Sequence, residues 1–457
     1  MIQSLFQIVR LLTIAVRRYP QRVFLAYALP SILAFSMLTP PLFAPDEIVH
    51  VMRAYSVSAL RLLPSGMLSG GQDMQPVPGD YVGIIDTYYS QLASDGYFGW
   101  QTAIDHPTAS WRSDEIGFLH NAEGYFPLFY VPQAIVIRLA WVLDLSIIDT
   151  LRYGRLLLGC LFVYLGYLAL SLARWGRLGL LVLINLPISV FLGSSFSPDA
   201  WLIASSSLAF ALMTRTGPSR KTSSERQLAA WIIIAATALR PSYLLMNAIW
   251  VKNVFREIER KPSLLLIAGF VVATVWAFFV VAHPDRRGDG IDPELQFAFL
   301  LSNPLAVFEV AWTTLKNHAA LPLRQIFIVT NHANAHASDQ LALLLTAAIA
   351  LVILTDYRRV AVKEVWTWIL IGCAVLGYGL IYGAMYLGWT TVGSMGPVHG
   401  VQGRYFVPLL VFALLALPSI PTSGIALRIT PAISICLMSY FLILNYWTIN
   451  QYFNPEI

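Results

Sequence analysis

A chain of 457 residues that is 57% hydrophobic and 12% charged, with mean hydropathy +0.64, is not an ordinary soluble domain, since those are about one quarter charged. It reads as an all-α polytopic membrane protein. The net charge of +5 is not a nucleic-acid footprint, because the basic residues sit in short stretches between apolar runs, where the positive-inside rule places them.

Apolar runs long enough for a span of about 20 residues fall near 24–43, 125–145, 151–172, 198–214, 263–282, 339–356, 366–387, 404–421 and 429–448. Arg10, Arg17, Arg18 and Arg22 precede the first with no acid among them, so the N-terminus is expected in the cytoplasm. The basic stretches 215–227, 252–261 and 357–364 belong on the same side. Residues 44–124 carry ten acidic residues against three arginines, and together with 283–338 they read as the two large extracytoplasmic loops. "SMLTPPLFAPDE" offers no small-x-small cleavage site, which favours an uncleaved anchor. Cys160, Cys373 and Cys436 lie inside apolar runs and read as small hydrophobes. With no repeat, heptad or linker, residues 1–457 read as one integral membrane domain.

Parity raises a further expectation. Only residues 228–250 separate two basic stretches that should share a side. Two half-helices broken at Arg240-Pro241 satisfy this, each about 18 Å long at 1.5 Å per residue against a core of roughly 30 Å. Arg240 is then expected inside protein or a wet cavity opening outward. The run 178–195 needs a similar re-entrant or interfacial treatment to keep Asp199 outside.

Three polar motifs lie at the outer ends of these runs. "FAPDEIVHVMRAYS" (43–56) sets Asp46 and His50 four apart and Glu47 and His50 three apart, on neighbouring helix faces. Pro45 and the acids also suit a plain helix start, but ionisable groups at that depth by default suggest function. "SSFSPDAW" places Asp199 at a span entrance, where Ser197-Pro198 also reads as a helix signal. In "GPVHGVQGRYFVP" (396–408), Gly400 and Gly403 permit close backbone approach. Gln402, Arg404 and Tyr405 follow, with arginine suited to bidentate phosphate contacts; an interfacial Arg/Tyr anchor is the plainer reading. "YFPLFYVPQ" (125–133) reads as an interfacial aromatic belt before a sugar platform. His332 and His336 in "NHANAH" have helical spacing for a metal pair but no local carboxylate. No nucleotide-binding, nucleophile-elbow or zinc motif is present.

Taken together, P-D-E-x-x-H, S-P-D-A, a break with a basic residue before x-x-Tyr, and V-Q-G-R-Y-F-V-P resemble a bacterial family of predicted membrane proteins of unassigned function that is grouped with the GT-C glycosyltransferases. The resemblance covers roughly residues 24–420. It implies a GT-C-like bundle of roughly 11–13 transmembrane or half-membrane helices with a large first outer loop. It also implies a polyprenyl-phosphate-linked sugar as donor and Asp46 in the place of the acidic residue of that loop. Arg240 stands where many relatives carry lysine.

On that reading Asp46, or Glu47, is the base for an acceptor hydroxyl, and His50 orients the acid pair. Arg404 and Arg240, with Gln402 and Tyr405, hold the departing phosphate, and inversion at the anomeric carbon follows. Asp199 is a second acidic site, and Asp46 with Asp199 are the ligands should Mg²⁺ or Mn²⁺ take part; the sequence requires no cofactor. The partners implied are the donor, a glycan or lipid-linked acceptor and membrane lipids, with no nucleic acid. The place implied is the bacterial inner membrane, with the active site facing outward. A glycan polymerase or ligase, and a lipid-linked glycan transporter or flippase, are the rival readings.

Overall fold

The computed structural model describes residues 11, 13–63, 75–95, 109–112, 116–119, 124–215, 220–251, 260–282, 290–327, 337–356, 365–417 and 426–451. The chain enters through α1 (Pro20–Leu38), turns over Thr39–Asp46 and continues as α2 (Glu47–Ser58). The next segment adds β1 (Gln75–Pro78), α3 (Gly79–Asp95) and β2 (Ile116–Leu119), with β1 and β2 antiparallel and Gln75 opposite Leu119. A 3₁₀ turn (Pro127–Tyr130) feeds α4 (Val131–Val142), then α5 (Ile147–Leu172), α6 (Arg177–Ile184), α7 (Pro187–Gly193) and α8 (Pro198–Met213). After α9 (Arg220–Leu239) come a 3₁₀ segment (Pro241–Asn247), α10 (Arg260–Ala282), α11 (Pro293–Ser302), α12 (Ala306–His318) and α13 (Leu321–Phe327). The chain closes with α14 (Asp339–Thr355), α15 (Val365–Trp389), a 3₁₀ turn (Gly403–Phe406), α16 (Val407–Ala413) and α17 (Ala426–Gln451).

Local chemistry explains several of these boundaries. The hydroxyls of Ser146, Ser197 and Ser338 accept from backbone N–H groups in the first turns of α5, α8 and α14, which satisfies donors that a helix start leaves orphaned. Small residues let α5 lie against α1: a Cβ on Gly159 would come within 2.3 Å of Ile32, and one on Gly166 within 2.6 Å of Phe24. Close approach at small residues is the usual glue between membrane helices.

All nine expected spans coincide with apolar helices, but they differ in length. Pro20–Leu38, Ile147–Leu172, Val365–Trp389 and Ile429–Asn450 are long enough to cross a membrane. Pro127–Val142, Pro198–Met213, Leu264–Phe278, Asp339–Thr355 and Gly403–Ala413 are shorter. The stretch 283–338 is more than a loop, because α11 and α12 together have the apolarity of a span yet bend by 112° between them. The break at Asn303-Pro304 hid them as one run. Leu305, Phe308 and Trp312 are exposed along this bend, at 77%, 73% and 68%.

The two half-helix expectations divide. Arg240 is extended (φ −137°) before Pro241 and ends α9, as the clash with a following proline ring demands. But α9 starts at Arg220 and has 20 residues, so at 1.5 Å each it reaches about 30 Å and is no half-helix. The return leg is the short one, a 3₁₀ segment of 7 residues. The run 178–195 forms α6 and α7, two short helices whose residues are nearly all buried within the bundle. Cys160 and Cys436 are exposed on α5 and α17, and Cys373 is half-buried. His332 and His336 lie outside the described residues, as does much of the basic stretches 252–261 and 357–364.

The buried apolar residues form two clusters. One joins α2, α3, α4, the first half of α5 and α9; the other joins α1, the second half of α5, α6, α7, α14 and α17. They interleave along α8 and meet again at two short segments. Leu42 belongs to the first and Phe43 and Ala44 to the second, while Tyr405 and Phe406 belong to the first and Val407 to the second. Asp46 and Arg404 stand beside that seam.

Candidate functional site

Asp46 is the residue before α2, with left-handed backbone (φ 56°, ψ 20°), and its carboxylate caps no N–H of the helix. Aspartate tolerates this conformation better than most residues, and the turn aims the side chain away from its own helix. The carboxylate instead accepts from Arg404 Nη2, while Arg404 Nη1 donates to Pro45 O at 3.0 Å. Arg404 is 2% exposed and Asp46 50% exposed, so the pair has a buried cation and an open anion.

Asp199 completes the bridge. Ser197 does the capping of α8, which leaves the Asp199 carboxylate free for other partners. Arg240 donates to Asp199 Oδ1 from Nε at 3.1 Å and from Nη2 at 2.6 Å. Asp199 Oδ2 faces Arg404 Nε at 3.1 Å, but outside hydrogen-bond alignment, so both atoms lack a hydrogen-bond partner. The result is a chain of alternating charge: Asp46, Arg404, Asp199, Arg240. The Arg240 guanidinium lies 4.2 Å from the centre of the Tyr405 ring, and Tyr243 Oη donates to Tyr405 O at 2.6 Å, fixing the turn on which Arg404 stands. Gln402 is half-buried in extended conformation just before that turn.

His50 lies one turn along α2 from Asp46 and is 2% exposed. Its Nδ1 shares a 2.9 Å hydrogen bond with Tyr130 Oη, the proton's owner depending on the tautomer, and its buried Nε2 has no partner. Burial pushes the imidazole down to about 4, against the pull of the Asp46 charge, so His50 is neutral at pH 7. For Asp46, burial alone raises the carboxyl; the Arg404 charge and its hydrogen bond outweigh it and hold the group below the usual carboxylate range. Tyr125 and Tyr130 both flank the imidazole, with ring centres 5.9 Å away, which brings the aromatic stretch 125–133 to the site.

Glu47 takes a different place from its neighbour. It is fully buried, and Arg155 donates to both of its oxygens, to Oε1 at 2.9 Å. Arg155 also donates to Thr39 O at 2.7 Å and Pro40 O at 2.9 Å, and Phe196 N donates to Glu47 Oε1 at 3.2 Å. Glu47 therefore locks the turn between α1 and α2 onto α5 and has no face toward the opening. Arg53, also fully buried, ties α2 to the following chain through Tyr125 O at 3.0 and 2.9 Å and Leu62 O at 2.8 Å.

Of the residues singled out in the sequence, Asp46, His50, Asp199, Arg240, Arg404 and Tyr405 come together. Arg155 was missed, while Arg53 and Tyr130 lie in the quoted stretches 43–56 and 125–133 without a role assigned there. An arginine inside the apolar run 151–172 was itself the signal for Arg155, since a charge at that depth needs a buried partner.

The two glycines of the 396–408 segment also have a structural use. Gly400 has φ 78°, and a Cβ on Gly403 would come within 2.2 Å of Pro322 O. Gly403 thus lets this segment approach α13, where Gly403 N donates to Gln325 Oε1 at 2.9 Å, while Gly400 lies against Trp389 at the end of α15.

A divalent ion does not fit the arrangement as built. Asp46 and Asp199 are bridged by the Arg404 guanidinium, and Arg240 covers the far side of Asp199. Among the described residues no three His, Cys, Asp or Glu side chains gather as a ligand set.

Span-length apolar helices together with buried, paired charges define a polytopic α-helical membrane protein. The family model described as "Predicted membrane protein (DUF2142)" matches residues 29–413, and the chain belongs to that family. It matches no curated protein and no solved structure.

Proposed function

We propose that this protein is a membrane glycosyltransferase of GT-C type. It moves a sugar from a polyprenyl-phosphate donor to a cell-envelope glycan or lipid-linked acceptor at the outer face of the bacterial inner membrane. The observation that supports this reading is the Asp46–Arg404–Asp199–Arg240 chain, which couples one open carboxylate to two buried guanidiniums.

At rest the four charges cancel. A donor phosphate brings a negative charge that competes with Asp46 for Arg404. Asp46 is the member free to move, because half its side chain faces solvent and Arg404 keeps Asp199 beside it. Released, the carboxylate takes the proton of the acceptor hydroxyl. The acceptor oxygen bonds to the anomeric carbon as the bond from that carbon to the phosphate oxygen breaks. The electron pair leaves with the polyprenyl phosphate, held by Arg404 and Arg240. Attack opposite the leaving group inverts the centre. Neutral His50, with Nε2 unpartnered, orients Asp46 or the incoming hydroxyl.

The test is transfer of labelled sugar from a polyprenyl-phosphate donor by purified protein, with Arg404→Lys and Arg404→Ala as variants. Lysine keeps the charge and loses the planar fork, so turnover falls well below wild type. Alanine falls further, by about ten- to hundredfold, since a charge-assisted contact is worth roughly 1.5–3 kcal/mol. A kinetically silent Arg404→Lys removes the phosphate clamp. A strain lacking the protein that accumulates a lipid-diphosphate oligosaccharide, in place of one polyprenyl-phosphate sugar, gives the function to a polymerase, ligase or transporter instead.

A further inference from the structure

At the opposite end of the bundle lies a second charged cavity, of about 230 Å³, lined by Arg17, Arg174, Trp175, Arg177, Asp356 and Thr430. The far position follows from the helices: Arg155 is near the start of α5 and Arg174 lies just past its end, and seventeen residues of helix between Arg155 and Leu172 rise about 26 Å. We infer that this cavity binds the phosphate group of an anionic membrane lipid.

The charge balance points to an anion. Three guanidiniums meet one carboxylate, which leaves an excess of positive charge, and that carboxylate is already bound at the cavity wall. Asp356 Oδ2 accepts from Leu178 N at 2.7 Å and Gly179 N at 3.0 Å, so it already occupies the start of α6. Arg177 donates to Leu170 O at 3.2 Å and to Gln21 Oε1 at 3.0 Å, which holds it at the wall. Neither Arg17 nor Arg174 has a carboxylate partner among the described residues, and both are exposed. The threonine hydroxyls are directed to other acceptors, Thr430 to Thr355 Oγ1 at 2.7 Å and Thr355 to Leu351 O at 2.6 Å, which leaves the guanidiniums as the anion's donors.

The surroundings point to a lipid as the source of the phosphate. Leu11 and Ile14 are exposed at 66% and 49% on the stretch that carries Arg17. Arg18 and Arg22 lie over the Tyr19 ring at 5.5 and 4.7 Å, an Arg/Tyr arrangement suited to the headgroup layer. Basic pockets between membrane helices at that level take phosphate headgroups.

The test uses delipidated protein in neutral detergent, with phosphatidylglycerol, phosphatidylcholine or inorganic phosphate added at matched concentration. Thermal midpoint and the lipid retained in native mass spectra are read together. Phosphatidylglycerol should raise the midpoint and be retained, while phosphatidylcholine and inorganic phosphate should do neither. Arg17→Gln with Arg174→Gln should weaken apparent phosphatidylglycerol affinity at least tenfold and leave the lipid-free midpoint unchanged. Equal effects of phosphatidylcholine, or an undiminished effect in the double variant, overturn the inference. An increment reproduced by inorganic phosphate overturns the lipid assignment. If the double variant fails to fold, the three wild-type arms still decide, and Arg174→Gln alone, at an exposed position, supplies the variant.

Discussion

Asp46 and Glu47 are adjacent carboxylates whose loss should produce opposite phenotypes. Glu47→Gln removes the only carboxylate paired with Arg155 among the described residues, and both side chains are 0% exposed. Breaking one partner of a buried pair costs about 3–5 kcal/mol, because the other charge is left uncompensated. The carbonyls of Thr39 and Pro40 still accept from Arg155, which favours the lower end. Unfolding entropy of about 2.1 cal/mol/K per residue over 457 residues makes 1 kcal/mol worth about 1 °C, so the midpoint should drop by roughly 3–5 °C. Asp46→Asn leaves Arg404 beside Asp199 and changes the exposed member of its pair, where solvent takes over part of the lost interaction. Its midpoint should fall by less than that of Glu47→Gln while sugar transfer is lost. Thermal unfolding in detergent and transfer by the same preparations are the two readouts. A Glu47→Gln protein as stable as Asp46→Asn refutes the buried-lock argument, and near-normal transfer by Asp46→Asn removes it as the base.

Gly403→Ala should destabilise by about 1–3 kcal/mol, the usual cost of overpacking, because a Cβ there meets backbone oxygen of Pro322 at 2.2 Å; unchanged stability and transfer would show that α13 yields freely. The depressed His50 pKa favours the neutral ring in the folded state, so its contribution is complete above the unfolded value of 6.5 and is lost as pH falls from there toward 4. The shift corresponds to about 3 kcal/mol, and His50→Gln should flatten the dependence of thermal midpoint on pH across that window; an identical slope in both proteins sinks the assignment. Single cysteines at 46 and 174 in a cysteine-free variant should react with an impermeant thiol reagent from opposite sides of sealed vesicles, and labelling of both from one side would refute their separation along α5.

Much of this site was legible in the sequence because polar residues at the ends of apolar runs have few innocent uses. Asp46, Asp199, Arg240 and Arg404 each stood out on that ground, and the Arg240-Pro241 break followed from the parity of the basic stretches on either side. What one-dimensional reading lacked was direction. Asp46 and Glu47 look alike in a helix start, and only the left-handed turn at Asp46 sends one carboxylate to the opening and the other to Arg155. Gly403 showed that backbone must come close there, without showing to what. The length of α9 was misjudged because charged and polar residues, Arg220 to Gln227, continue the helix beyond its apolar part.

Unequal helix lengths set how deep a substrate must travel. α5 has 26 residues and α8 has 16, about 39 and 24 Å at 1.5 Å each. They are level at one end, where Arg174 N donates to Thr214 Oγ1 at 2.9 Å. At the other, Phe196 just ahead of α8 shares Glu47 with Arg155, and Arg155 lies eight residues, or about 12 Å, inside the tip of α5. The floor of the charged chain is therefore sunk below the rim of its tallest neighbour. On the proposed reading, a phosphate carried at the membrane surface reaches that depth from within the leaflet, whereas a water-borne one comes down from above that rim.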